Sequence, residues 1–242
     1  MSGRLNRAHA LLVLLFSVPA LGPMLRPGYW WGAHDARHSV YFLFEFDRAV
    51  HDGVLWPRWA PDFAFGYGYP FFNIYGPLSS FVGEAFHLLG FSFVDAVKLV
   101  FGLSVLASGL AMYAFIGHTI HSRAGVVAGV AYVYLPYHLA DIYVRAALAE
   151  SVALAWLPLA LWGFWAVSTR PSPGRVAATA LAYAGLMLSH NGLTVQATAI
   201  SGSSSLLCWA GRAQMRPHGA SACAPSRRGG ALRPARWRWG SP

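Results

Sequence analysis

Five of the nine acidic residues in this chain, Asp35, Glu45, Asp47, Asp52 and Asp62, fall between Arg26 and Gly76. That segment is polar, aromatic and rich in proline and glycine, and it lies between stretches apolar enough to belong in lipid. The ionisable chemistry is thus gathered at one membrane face, which is where a membrane protein spends charge when it has something to bind or react with. Carboxylates there can accept protons. The aromatic side chains of Trp56-Pro57-Arg58-Trp59, Gly66-Tyr67-Gly68-Tyr69-Pro70 and Tyr75 can stack on sugar rings or lipid headgroups, although each taken singly also fits an interfacial aromatic belt. Farther along, Asp141 and Arg145 are four apart on a predicted helix, the spacing of a local ion pair. Glu150 opens an apolar run, where an acid suits the positive end of a helix. His190 and Asn191 lie within another apolar run, and polar side chains so placed turn inward, for interhelical hydrogen bonding or for a site. His34, Asp35 and His38 could reach one ion, but their spacing is not a zinc signature and no metal is assigned to them.

The elements that must position these groups are membrane helices. Hydrophobic residues make up 56% of the chain and charged residues 11%, against roughly 25% charged in a soluble domain. Apolar runs at Ala8–Leu25, Ala96–Ile116, Ala124–Ala140, Ser151–Val167 and Val176–Ile200 are each near the ~20 residues that cross a ~30 Å hydrocarbon core. The pattern predicts an all-α, polytopic membrane protein with five spans, a large first outer loop over residues 26–93 containing interfacial helices, and a possible sixth element at Pro77–Phe93. The two cysteines, Cys208 and Cys223, imply neither a disulfide framework nor a thiolate metal site. Gly-rich phosphate loops, nucleophile elbows and zincin helices are absent, so soluble-enzyme templates do not apply.

Arg4 and Arg7 precede the first apolar run and place the amino terminus in the cytoplasm, with the run read as an uncleaved anchor and the loop after it facing outward. The apolar part of Pro77–Phe93 is short and carries Glu84 and His87, so it is read as interfacial rather than spanning. Gly117–Arg123, Arg170 and Arg175 then fall inside and Asp141–Glu150 outside. Within the loop, Ala36–Asp52 alternates apolar and charged faces as an amphipathic helix in the headgroup plane does, and Asp35 stands where its carboxylate could cap that helix.

The net charge of +9 is unevenly spread. Residues 1–200 carry eleven basic and nine acidic side chains, and residues 201–242 carry seven arginines and no acid. The basicity therefore belongs to a Gly/Pro/Ser/Arg-rich tail, and no nucleic-acid partner is inferred for the rest. That tail reads as a disordered basic arm or, by preference, as the product of a frame change near residue 200. Residues 1–200 form the transmembrane domain in either case.

In order along the chain stand Gly32-Ala33-His34-Asp35, Trp56-Pro57-Arg58-Trp59, Gly66-Tyr67-Gly68-Tyr69-Pro70, Tyr75-Gly76-Pro77-Leu78, and Tyr143-Val144-Arg145 with Glu150. With this motif set the chain resembles the uncharacterised bacterial membrane proteins labelled 6-pyruvoyl-tetrahydropterin-synthase-related. More distantly it is similar to the glycosyltransferase C superfamily, which transfers sugars from polyprenyl-phosphate carriers at the outer membrane face. Members of the first family are longer, so the chain looks like an amino-terminal fragment, inactive alone, in a bacterial inner membrane. The pterin part of the label is not carried over, because those soluble enzymes bind zinc through three histidines and His118 and His121 lack that spacing. The superfamily resemblance implies that Asp35, in the first outer loop, is the base for attack of an acceptor hydroxyl. It implies a substrate surface including His34, Arg58, Asp62, Tyr67, Tyr69, Arg145, Glu150 and His190, with Arg58 and Arg145 as forks for the donor phosphate. The paired acidic motif of many such transferases is missing around Asp35, and the cofactor is left unknown. The alternative is a non-enzymatic membrane protein, a transporter or an assembly factor for envelope polysaccharide. Internal repeats, frequent in transporters, are not evident.

Overall fold

A computed structural model describes residues 5–214 of the chain, with side chains through residue 203. The fold is all-α, with no strand among the described residues and one isolated antiparallel bridge between Ala60 and Tyr69. Asn6 caps α1 (Arg7–Ser17) by accepting the Ala8 N–H at 2.9 Å. Proline at residues 19 and 23 then turns the continuation, Val18–Leu25, into a 3₁₀ helix. The outer loop holds α2 (Ala36–His51), α3 (Phe71–Ile74) and α4 (Leu78–Leu88). After it come α5 (Phe93–Thr119), α6 (Ser122–Val133), α7 (Pro136–Ala140), a π turn (Asp141–Arg145), α8 (Leu148–Thr169), α9 (Pro173–Ser189) and α10 (Asn191–Gln214). Among the described residues three stretches are long and apolar enough to cross a membrane: Arg7–Leu25, Phe93–Thr119 and Leu148–Thr169.

Two of the five predicted spans are broken. Ala124–Ala140 stops at Val133, because Pro136 has no N–H to continue the helix and holds Leu135 in an extended conformation, ψ 134°. Val176–Ile200 is interrupted at His190, which is extended (φ −152°, ψ 116°) and begins a new helix by accepting the Leu193 N–H on Nδ1 at 3.2 Å. Neither half meets the length and apolarity of a span. The helical pattern does not end near residue 200 either, since α10 continues to Gln214. The chain divides into a compact unit, Met1–Ser205, and a second, Leu206–Pro242. Most of the predicted basic tail lies outside the described residues.

α5 is the centre of the first unit, packed by α1, α4, α6 and α8. Close approach of α6 needs its Gly125-x-x-x-Gly129 face: a Cβ at either glycine would lie 2.7 Å from a backbone oxygen of α5, Tyr113 O and Gly109 O respectively. Pro77–Phe93 forms no span. α4 has 11 residues, about 17 Å of helix against a ~30 Å core, and it ends at a turn before Ser92, which caps α5. α2 follows its predicted boundaries, but its apolar face does not rest on headgroups alone. Leu43 and Phe46 are buried among side chains of α4, α5 and the aromatic loop.

Candidate functional site

Two of the ties between the outer loop and the helical bundle flank a cavity. At the first, the π turn ends on Ala146 in the left-handed conformation (φ 55°), which is unusual for a residue with a Cβ. This segment presents three carbonyls to the loop. His34 N–H donates to Val144 O at 3.1 Å and Asp35 N–H to Arg145 O at 2.7 Å. The Ser39 hydroxyl donates to Ala146 O at 3.0 Å. At the second, Gly76 presses on the end of α9, where a Cβ would stand 2.2 Å from Leu188 O. Beside it the Asn191 side chain donates to Ile74 O at 2.5 Å. A π turn followed by a strained residue is the sort of local cost that persists where surrounding structure fixes a functional geometry.

The cavity between these ties measures about 380 Å³, and Asp35, Arg145, Glu150 and His190 stand in its wall. Phe42, Phe71 and Tyr75 supply an aromatic side, with Phe71 and Tyr75 stacked at 4.7 Å. Arg145 is held at 2.9 Å by Asp141 Oδ1 and at 2.7 Å by Glu150 Oε2. Tyr137 donates its hydroxyl to the other Glu150 oxygen, and Arg145 donates to Tyr137 Oη at 3.1 Å. Asp141 is fully buried, with Oδ2 unpartnered among the described residues. Burial, and then the charge of Glu150, push its pKa up to about 8 against the opposing pull of Arg145. The bond to Glu150, and then burial, raise that of Tyr137. Arg145 is thus engaged by Asp141 and Glu150 together, and Asp35 remains as the half-exposed carboxylate of the wall, 3.7 Å from His38 Nδ1.

Asp35 occupies the N-cap position of α2 but its side chain makes no capping bond, and the residue lines the cavity. Four predicted site residues, Asp35, Arg145, Glu150 and His190, are brought together. Five are not. His34 joins the tie only through its backbone, and Arg58, Tyr67 and Tyr69 are exposed away from the cavity. Asp62 pairs with Arg48 instead. Arg145 is engaged by Asp141 and Glu150, and His190 is at a helix break rather than inside a span. Sequence reasoning missed Tyr137, Ser39 and Phe71 as neighbours of the site. The only available signal was Pro136, whose break in the helix turns Tyr137 back toward Glu150.

These features define a multi-pass α-helical membrane protein with a polar cavity where its first loop meets the bundle. Residues 72–215 match the family described as 6-pyruvoyl-tetrahydropterin synthase related domain, a membrane protein, and the chain belongs to that family. The match takes in Asp141–Glu150, His190 and all of α10, and begins after Asp35. An uncharacterized protein of Lactococcus lactis subsp. cremoris (strain MG1363) is 23% identical over 195 residues, which is 78% of this chain and 32% of that relative. The chain thus spans about a third of the length of the curated relative it matches. No solved structure matches it.

Proposed function

We propose that the cavity binds a sugar and that the complete protein transfers it from a polyprenyl-phosphate donor, as the resemblance to glycosyltransferase C proteins implies. The observation that carries this reading is the meeting of a half-exposed carboxylate, Asp35, with a stacked aromatic wall, Phe71 and Tyr75, in one cavity. Aromatic faces take the apolar side of a sugar ring, and a carboxylate at hydrogen-bonding range takes the proton of an attacking hydroxyl. On this reading the protein sits in a bacterial inner membrane with its amino terminus in the cytoplasm and the cavity facing outward, and it acts on envelope polysaccharide. Arg58, Asp62, Tyr67 and Tyr69, on the exposed part of the loop, would meet the acceptor rather than the reacting sugar.

The second reading, a binding platform without transfer, has its own support. Arg145 is the one basic side chain of the cavity wall besides histidines, and two carboxylates hold it, so a departing phosphate would have to displace Glu150. The test uses membranes containing a complete family member, with transfer from a polyprenyl-phosphate sugar as the readout. Asp35→Asn keeps the size and removes the basic oxygen, so transfer falls by about 10²-fold or more with expression intact. Undiminished transfer removes Asp35 as the base. No transfer by the parent protein with any donor favours the platform.

A further inference from the structure

At the far end of α8 from Glu150, a second and larger cavity of about 760 Å³ runs between α8 and α9. Its sides are Trp156, Leu159, Trp162 and Trp165 on α8 and Leu181 on α9. α8 is one of the three stretches apolar enough to span a membrane. From Trp156 to Thr169 it rises roughly 20 Å at about 1.5 Å per residue, somewhat more than the ~15 Å of one leaflet of hydrocarbon. The mouth is cationic. Arg170 and Arg175 stand there with His118 from the end of α5, and no acidic residue belongs to the lining. Among the described residues neither arginine has a carboxylate within ion-pair distance, and Arg175 spends one N–H on Arg170 O at 2.7 Å. The amino end of α9, a 17-residue helix, adds its positive dipole at the same place.

A leaflet-deep apolar groove with an uncompensated pair of guanidiniums at its end matches one kind of amphiphile. We propose that this groove is a binding site for an anionic glycerophospholipid, with an acyl chain along the tryptophans and the phosphate on Arg170 and Arg175. A zwitterionic lipid would bring a second, cationic headgroup charge against the same arginines, and a free phosphate would forgo the apolar wall. The site is distinct from the loop cavity and does not depend on the function proposed for it.

The test is retention of lipid by the full chain, purified in detergent, incubated with phosphatidylglycerol or phosphatidylcholine of the same acyl chains, and examined by native mass spectrometry. Phosphatidylglycerol is expected to be retained tenfold or more over phosphatidylcholine, the order that two basic side chains supply at a lipid surface. R170Q/R175Q removes the preference, R170K/R175K keeps most of it, and Trp162→Ala lowers retention of both lipids. Millimolar inorganic phosphate does not displace the bound lipid. Equal retention of the two lipids, an unchanged preference in R170Q/R175Q, or displacement by inorganic phosphate would each overturn the proposal. So would a groove that retains no lipid because another helix of the chain fills it.

Discussion

Pro158 lies inside α8 and has no N–H for the carbonyl of Leu154, four residues earlier. That carbonyl is not abandoned, because the Tyr132 hydroxyl of α6 donates to it at 3.0 Å. Tyr132→Phe keeps the ring, which meets His138 edge-on at 5.3 Å, and removes only the donor. Leaving a buried carbonyl unpaired costs about 1–3 kcal/mol in water-soluble folds, whereas interhelical hydrogen bonds measured in membranes average ~0.6 and reach ~1.7 kcal/mol. Leu154 is buried beside Tyr132, so the upper part of the membrane range applies and about 1–1.5 kcal/mol is expected. Pro158→Ala restores an N–H that can take the Leu154 carbonyl directly. In that background Tyr132→Phe should cost under ~0.5 kcal/mol, giving a coupling near 1 kcal/mol in a double-mutant cycle. Reversible unfolding of the four proteins in mixed detergent micelles, followed by helical circular dichroism, measures it. Equal costs of Tyr132→Phe in both backgrounds would show that the hydroxyl is not replacing the missing N–H, and the reasoning fails.

Two further outcomes follow from the outer loop. Glu84 is buried on α4 with both oxygens unpartnered among the described residues, facing Asp47 and His51 of α2 and His87 of its own helix. Burial, and then the charge of Asp47, raise its pKa above the unfolded value. Its neutral form therefore supports folding fully below the ordinary glutamate range, and that support is lost as pH rises through the raised folded value. Glu84→Gln should flatten this part of the pH–stability curve and stabilise the alkaline side, and an unchanged curve would refute the assignment. Gly76→Ala sets a methyl 2.2 Å from Leu188 O, a backbone atom with little freedom to retreat. A loss of about 1–3 kcal/mol and faster proteolysis between α3 and α4 are expected, and neither change would mean that the loop is not seated on α9.

The part of the fold that was legible rests on apolar length and on amphipathic period. α1, α5 and α8 announce themselves by unbroken apolar runs, and α2 by a pattern that needs no knowledge of its partner. Hydropathy averaged across a break conceals it. Pro136 marks the one inside Ala124–Ala140, since its effect on the preceding residue is local and steric. His190 carried no such mark. Its extended conformation depends on the ring accepting the Leu193 N–H and on the neighbouring Asn191 reaching Ile74, about 117 positions away in sequence. The helix beyond residue 200 was hidden because Ser, Gly and Arg lower hydropathy without forbidding helix, and no proline intervenes before Gln214.

At the site, the candidates that share the cavity are those whose charge is costly in an apolar chain. Asp35, Arg145, Glu150 and His190 stand out because a membrane protein has few such groups, and burial makes each look for a partner. The converse inference was weaker. Arg58, Tyr67 and Tyr69 belong to the most conspicuous motifs of the chain, yet all three are exposed and outside the cavity lining; around Tyr67 the chain turns through positive φ at Ala64, Phe65, Gly66 and Gly68. Conspicuous turn chemistry reports the shape of the loop rather than the position of a cavity. The i, i+4 pair of Asp141 and Arg145 exposes a further limit. The spacing accounts for the contact, but not for the burial that raises the Asp141 pKa, nor for Glu150 as a second partner across the turn at Ala146. These two contacts decide how the cavity meets a ligand. With the Arg145 guanidinium engaged by Asp141 and Glu150, a hydroxyl-bearing ligand finds the half-exposed Asp35 as an acceptor, while an anion finds no free guanidinium in the wall until one of those contacts gives way.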